Sequence, residues 1–277
     1  MNTIKNGLGN RMKNSYEFRT RYLMPLKTFV IVRIDGKSFH TWTKRQHCNK
    51  PFDIKLVQIM QETTLQLCQN IQGCIFGYTQ SDEINLILTD IQEENTNAWF
   101  NNNIQKIASV AASMTTAYFN SLYHGEEPAL FDARTFVIPT IGEVKNYLVW
   151  RQKDATTNSI TSLAQTYFTH KELNRKSSDE MQDMLHDKGV NWNELSTNLK
   201  RGSCIVRTRQ LKDEQVKKVI STNIPQETII DIKESKKSEK TRKESFKWSL
   251  LSDTPIFTKV FKEADTWLLN YIPLLYE

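Results

Sequence analysis

Apolar positions along the chain switch between two periodicities, and the switches mark out its elements. Residues Phe29 to Ile34 (FVIVRI) are β-branched and almost wholly apolar, the pattern of a central strand covered on both faces. After Pro51 the apolar residues Leu56, Ile59, Met60 and Leu67 recur at helical spacing. Two short apolar runs follow, Cys74 to Tyr78 and Ile84 to Leu88, separated by Thr79-Gln80-Ser81-Asp82-Glu83, which predicts a hairpin. A long helical pattern covers about Ala98 to Tyr123, with Ile104, Ile107, Ala108, Ala111, Met114 and Tyr118 on one face. Phe131 to Ile138 is another strand, closed by Pro139. The order strand, helix, strand, strand, helix, strand predicts an α+β, ferredoxin-like unit over residues 1–140. Residues 141–277 form a mainly helical region packed on it, with one strand at Cys204 to Arg207.

Composition narrows the class. A hydrophobic share of 39%, six Trp and 25% charged residues describe a soluble globular chain of 277 residues. No run approaches the roughly 18 to 20 apolar residues of a membrane span. The first residues lack the apolar core of a secretory signal, and Met1 to Asn14 carry a single arginine, unlike a mitochondrial presequence. Cytoplasm is therefore expected. Cys48, Cys68, Cys74 and Cys204 lie far apart without a C-x-x-C pair and read as free thiols. The net charge of +6 suits a polyanionic partner without requiring one. The stretch 233–244 (KESKKSEKTRKE) is too charged to pack and reads as a mobile loop or hairpin tip that offers basic residues to RNA.

The candidate chemistry follows from topology. In a ferredoxin-like sheet the first and second strands run parallel, so both end at the same rim. Asp35 lies just past the first strand and Asp82 lies in the hairpin after the second. Either aspartate alone reads most simply as a turn residue. Together at one rim they repel unless cations sit between them. Mg²⁺ prefers such hard oxygen ligands with water and phosphate, and two ions can serve both oxygens of a displacement. Gly36 permits close backbone approach, and the amides of Gly36 to His40 are candidates to face an anion. Lys50 precedes a helix start, which also favours anions. Lys106 lies on the second long helix, where periodicity leaves its direction open between solvent and site.

The strings RIDGKSFHTW, NKPFD, YTQSDE, FDAR and WRQKDATTN, in that order, resemble the tRNA-histidine guanylyltransferase family. The likeness is good over Tyr16 to Asn158 and loose over Lys188 to Arg207. It implies a polymerase-like palm that adds nucleotides to the 5′ end of tRNA. ATP first adenylylates the 5′-phosphate, and the 3′-hydroxyl of an incoming NTP, usually GTP, then attacks. It further implies two Mg²⁺ ions held by Asp35, Asp82 and the Gly36 carbonyl. Lys37, Ser38, Phe39 and His40 would follow the triphosphate, Ser81 and Lys106 would bind phosphate oxygens, and Asp53 would lie near the base. Lys50 would serve adenylylation, with Glu83 and Arg33 important for activity. Arg134, Arg151 and Asn158 would meet the tRNA, and the assembly would be a homodimer or homotetramer. The chain departs from the pattern at Ala155 to Thr161: ATTNSIT stands where enzymes dedicated to tRNA-histidine carry a HINNLYNT-type string. That loss favours template-dependent repair of 5′-truncated tRNAs over addition of one G to tRNA-histidine. A nucleotidyl cyclase-like signalling enzyme, which shares the palm and the paired aspartates, is the alternative of another class.

Overall fold

The computed structural model describes residues 7–92, 94–210, 245–263 and 266–271, so the charged stretch 233–244 lies outside the described residues. The strands are β1 (Phe29–Gly36), β2 (Cys74–Gln80), β3 (Glu83–Thr89), β4 (Phe131–Ile138), β5 (Ser203–Gln210) and β6 (Ser245–Leu250). They form one sheet in the order β4-β1-β3-β2-β5-β6 with every neighbouring pair antiparallel. Because β1 and β2 are each antiparallel to β3, they run the same way, and both end at one rim. The first four strands with their two crossover helices are the expected ferredoxin-like unit.

The helices are α1 (Leu8–Ser15), α2 (Phe39–Arg45), α3 (Ile54–Asn70), α4 (Ile104–Tyr123), α5 (Ile141–Ala164), α6 (His170–Leu173), α7 (Ser178–Asp187), α8 (Thr197–Arg201) and α9 (Phe257–Glu263). Their starts have visible causes. The Asp53 carboxylate accepts from Leu56 N–H at 2.9 Å and opens α3, and Asn103 caps Lys106 N–H at 3.1 Å to open α4. Phe100 and Asn101 have positive φ, which stops the helical pattern from running back to Ala98. Within α4 the buried side chains are Ile107, Ala111, Thr115, Phe119 and Tyr123, a row at intervals of four that leaves Met114 and Tyr118 only partly covered.

Two cores flank the sheet. On one face Val30, Val32, Ile34, Ile84 and Leu86 pack with Met60, Leu67, Ile107 and Phe119 of α3 and α4. On the other, Ile31 and Ile87 meet Val144, Tyr147 and Leu148 of α5 and Phe257 of α9. A third, smaller cluster joins the C-terminal half of α5 to α6, α7 and Trp192.

Three boundaries differ from the sequence pattern. β1 continues through Asp35 and Gly36, which pair with Asp132 and Phe131, so Asp35 is a strand residue and does not lie past the strand. The hairpin turn shrinks to Ser81 and Asp82, because Gln80 pairs with Glu83 and Thr79 with Ile84. Polar residues in the last rungs had the look of loop. The C-terminal segment also extends the sheet by two strands. β6, with the sequence SFKWSL, lacks the apolar run that reveals a central strand, as suits an edge.

Candidate active site at the sheet rim

Strand alternation decides which side chains share the rim. Arg33 and Asp35 of β1, and Glu83 and Asn85 of β3, all face α5. Above them α5 contributes Tyr147, Arg151 and Asp154. Glu83 is the hub: Arg151 donates to both of its oxygens at 2.7 Å, and Arg33 Nη2 lies 2.7 Å from Oε2. Asn85 donates to Glu83 Oε1 at 2.8 Å and accepts from the Tyr147 hydroxyl. Arg151 also pairs with Asp154 at 2.8 Å. Glu83 and Arg151 are 4% and 3% exposed, and such burial is tolerable because each charge is paired in bidentate geometry. Burial, then the nearby Glu83 charge, pushes the Tyr147 phenol up, so it stays protonated and donates.

Glu83 therefore has its counterions close by, whereas among the described residues the two aspartates are less well compensated. Among the described residues Asp35 has Arg33 as its one ion-pair partner, at 3.9 Å, and Asp82 accepts from the Ser81 hydroxyl at 2.9 Å. Asp82 Oδ2 lies 2.8 Å from where a Cβ on residue 36 would stand, and Phe39 ring atoms lie 2.3 and 2.7 Å from the same point. Only glycine lets β1, Phe39 and the Asp82 carboxylate meet this closely. Burial raises the Asp82 carboxyl to about 6, with the Asp35 charge adding to it. Asp35 is raised as well, by burial and then by Glu83. Two under-compensated carboxylates beside one glycine form the hard-oxygen donor set that a divalent cation takes. Among the described residues no group of three or more His, Cys, Asp and Glu could hold a metal. The pair thus suits a cation that keeps water or substrate phosphate as its other ligands.

A cavity of about 640 Å³ opens over this pair. His40, Lys50 and Asp53 line one side, Gln80, Ser81, Asp82 and Glu83 the floor, and Asp154, Asn158, Ser162, Gln165 and Asn198 the other side. Charged and uncharged hydrogen-bonding groups thus line a space of the size of a nucleotide.

A solved bacterial tRNA(His) guanylyltransferase-like protein in complex with ATP is 38% identical, with a TM-score of 0.76, over 97% of this chain and 100% of that one. The chain belongs to the tRNAHis guanylyltransferase family. Residues 9–139 match the sequence profile of that family. A bacterial protein of the same description, in complex with GTP, is 38% identical over 94% of this chain and 98% of that one, with a TM-score of 0.72. The tRNA(His) guanylyltransferase of Debaryomyces hansenii is 28% identical over 209 residues, 68% of this chain and 77% of its own length. The chain is accordingly a nucleotidyltransferase, and membership in this family sets the cyclase alternative aside.

The structure gathers Asp35, Gly36, Phe39, His40, Lys50, Asp53, Ser81, Asp82, Glu83, Arg151 and Asn158 around the cavity or its floor, but not all with the expected part. Phe39 is a core residue, 6% exposed and packed on Trp42, Phe119 and Phe131, so it shapes the floor. Both Asp53 oxygens accept at 2.9 Å, one from Leu56 N–H and one from Asn49 N–H, so Asp53 caps α3 as well as lining the cavity. The Lys37 amide donates to Leu130 O at 2.8 Å, leaving Ser38, Phe39 and His40 as the amides without an acceptor among the described residues. Arg151 is buried under Glu83 and does not present a free guanidinium to tRNA. Arg134 is exposed beside Asp132 at 3.6 Å, outside the cavity wall. Lys106 is at the other end of the sheet: it sits in the first turn of α4, next to the isolated Leu23–Asn103 bridge that precedes β1, with its ammonium 5.7 Å from the Phe100 ring. Its position in an apolar helix carried no information about which end of the sheet it would reach. Tyr147, Asp154 and Asn198 were missed. The first two stand one helical turn either side of Arg151, a spacing that could have flagged them once Arg151 was placed.

Proposed function

We propose that the protein adds nucleotides to the 5′ end of tRNA in the 3′–5′ direction, copying the opposing strand, and so repairs 5′-truncated tRNAs. The observation that carries this is the Asp35–Gly36–Asp82 arrangement: two carboxylates short of counterions at the floor of a nucleotide-sized cavity. Divalent cations, Mg²⁺ by their preference for hard oxygens, would be held there and would supply charge neutralisation at the phosphates. ATP and GTP, the nucleotides in the two similar structures, are the substrates this cavity takes. His40 and Lys50 flank the phosphates on one side. Glu83, locked by Arg33 and Arg151, holds the first rung of β3 and with it the two-residue turn that carries Asp82.

Repair is favoured over dedicated guanylylation by the α5 wall. The stretch ATTNSIT places Asn158 and Thr161 on the cavity and offers uncharged groups where a histidine-containing string would stand. The test incubates the protein with Mg²⁺, ATP, the four NTPs and a 5′-monophosphorylated tRNA lacking its first nucleotide. Incorporation that tracks the opposing base supports repair. Addition of G to tRNA-histidine alone, whatever base lies opposite, establishes the dedicated activity instead.

A further inference from the structure

The end of the sheet farthest from the aspartates carries a feature outside the cavity lining. α1 and the short turn after it, Glu17–Thr20, bury no residue at all. Residues 8–22 contain four basic side chains against one acidic, Glu17, and the basic ones alternate with rings. Phe18 is 46% and Tyr22 66% exposed. Arg21 lies 6.0 Å from the Phe18 ring, and Tyr22 O accepts from Ile104 N–H at 3.1 Å, which ties the arm to the first turn of α4. There the displaced Lys106 and the part-exposed Phe100 repeat the same pairing of cation with ring.

We propose that this arm and the start of α4 form an RNA-docking surface separate from the catalytic cavity. Three observations choose the occupant. The excess of positive charge, Arg11, Lys13, Arg19 and Arg21 against Glu17 alone, complements a phosphate backbone. Exposed rings beside guanidinium groups are stacking platforms for unpaired bases. The eight residues of β1 hold the surface about 25 Å from the rim, the reach of an RNA body whose end lies in the cavity. The partner class rests on the tRNA reading above; the surface itself does not.

Two double variants test it, Arg19→Ala with Arg21→Ala, and Phe18→Ala with Tyr22→Ala. All four side chains are solvent-exposed, so folding is undisturbed. Affinity for a 5′-monophosphorylated tRNA is measured by filter binding at several salt concentrations without NTP, alongside sedimentation velocity. The arginine pair should weaken binding about tenfold and flatten the slope of log affinity against log salt by about 1.4 to 1.8. The aromatic pair should weaken binding about tenfold with the slope unchanged. Sedimentation should not change. Wild-type affinity and slope in both variants overturn the proposal. So does any loss of affinity that comes with dissociation of the protein, which would make the arm an interface between copies. Binding is read without turnover, so a chain that uses the arm yet adds no nucleotide defeats the proposed function alone.

Discussion

The two faces of the sheet are built on different principles. The α3/α4 face is mainly apolar and holds no buried charge among the named core residues: Val32, Ile34, Ile84 and Leu86 are fully buried against Met60, Leu67 and Phe119. The α5 face begins the same way, with Ile31 and Ile87, then turns polar toward the rim through Asn85, Arg33, Glu83 and Arg151. Burying those charges costs desolvation that an apolar cluster of equal volume avoids. What the polar half supplies is direction. Hydrogen bonds of 2.7 to 2.8 Å hold Glu83 to one geometry, and the turn beside it inherits that geometry. The apolar face stabilises the fold, and the polar half of the other face aims Asp82.

The largest expected effect isolates the site from both faces. Asp35→Ala or Asp82→Ala should lower single-turnover nucleotide addition by about a thousandfold or more, equivalent to ~4 kcal/mol of transition-state stabilisation, with circular dichroism and tRNA affinity unchanged. Equal loss of tRNA binding would remove their assignment as cation ligands. Next, Leu86→Ala on the apolar face and Arg151→Met on the polar one should each destabilise by about 2–5 kcal/mol in urea melts. Their kinetics should differ. The leucine variant should keep its kcat while folded, whereas the arginine variant should lose about tenfold to a hundredfold. Adding Glu83→Leu to Arg151→Met should restore most of the stability and none of the kcat, and recovery of both would erase the distinction between the faces.

Acid–base behaviour gives a smaller and signed effect. Asp82 titrates near 6 in the folded chain against an ordinary value of 3.8, so its ionised form destabilises the fold. That cost is absent below pH 3.8, grows as pH rises to 6, and is complete above it. Asp82→Asn should therefore stabilise the chelator-treated protein by about 1–2 kcal/mol at pH 7.5 and by nothing at pH 3.5, as thermal melts would show. For the same reason Mg²⁺ affinity should fall about tenfold per pH unit below 6. Smallest of all, Lys106→Ala should leave ATP affinity in the absence of RNA within twofold. A larger loss would return Lys106 to the nucleotide site.

Much of this site could be read from the residues in order. Glycine at 36 and aspartates at 35 and 82 state their requirement locally, because the hairpin and the strand pattern say which rim they share. Asp53 and Lys106 were harder. A carboxylate one residue before a helix serves as cap or ligand with the same sequence, and it takes the Asn49 and Leu56 hydrogen bonds to show that this one caps. Glu83 and Arg151 were found by resemblance, but nothing local says that a glutamate in a hairpin and an arginine in a helix bury each other.

The order of strands, the apolar row of α3 and the candidate aspartates follow from the sequence by itself, since period, turn residues and chain direction are local properties. Tertiary structure alone decided that β5 and β6 join the sheet, that Arg151 is a buried counterion, and that Lys106 lies far from the rim. Each of those depends on a contact between segments distant in the chain, and such a contact is chosen by the packing of whole elements.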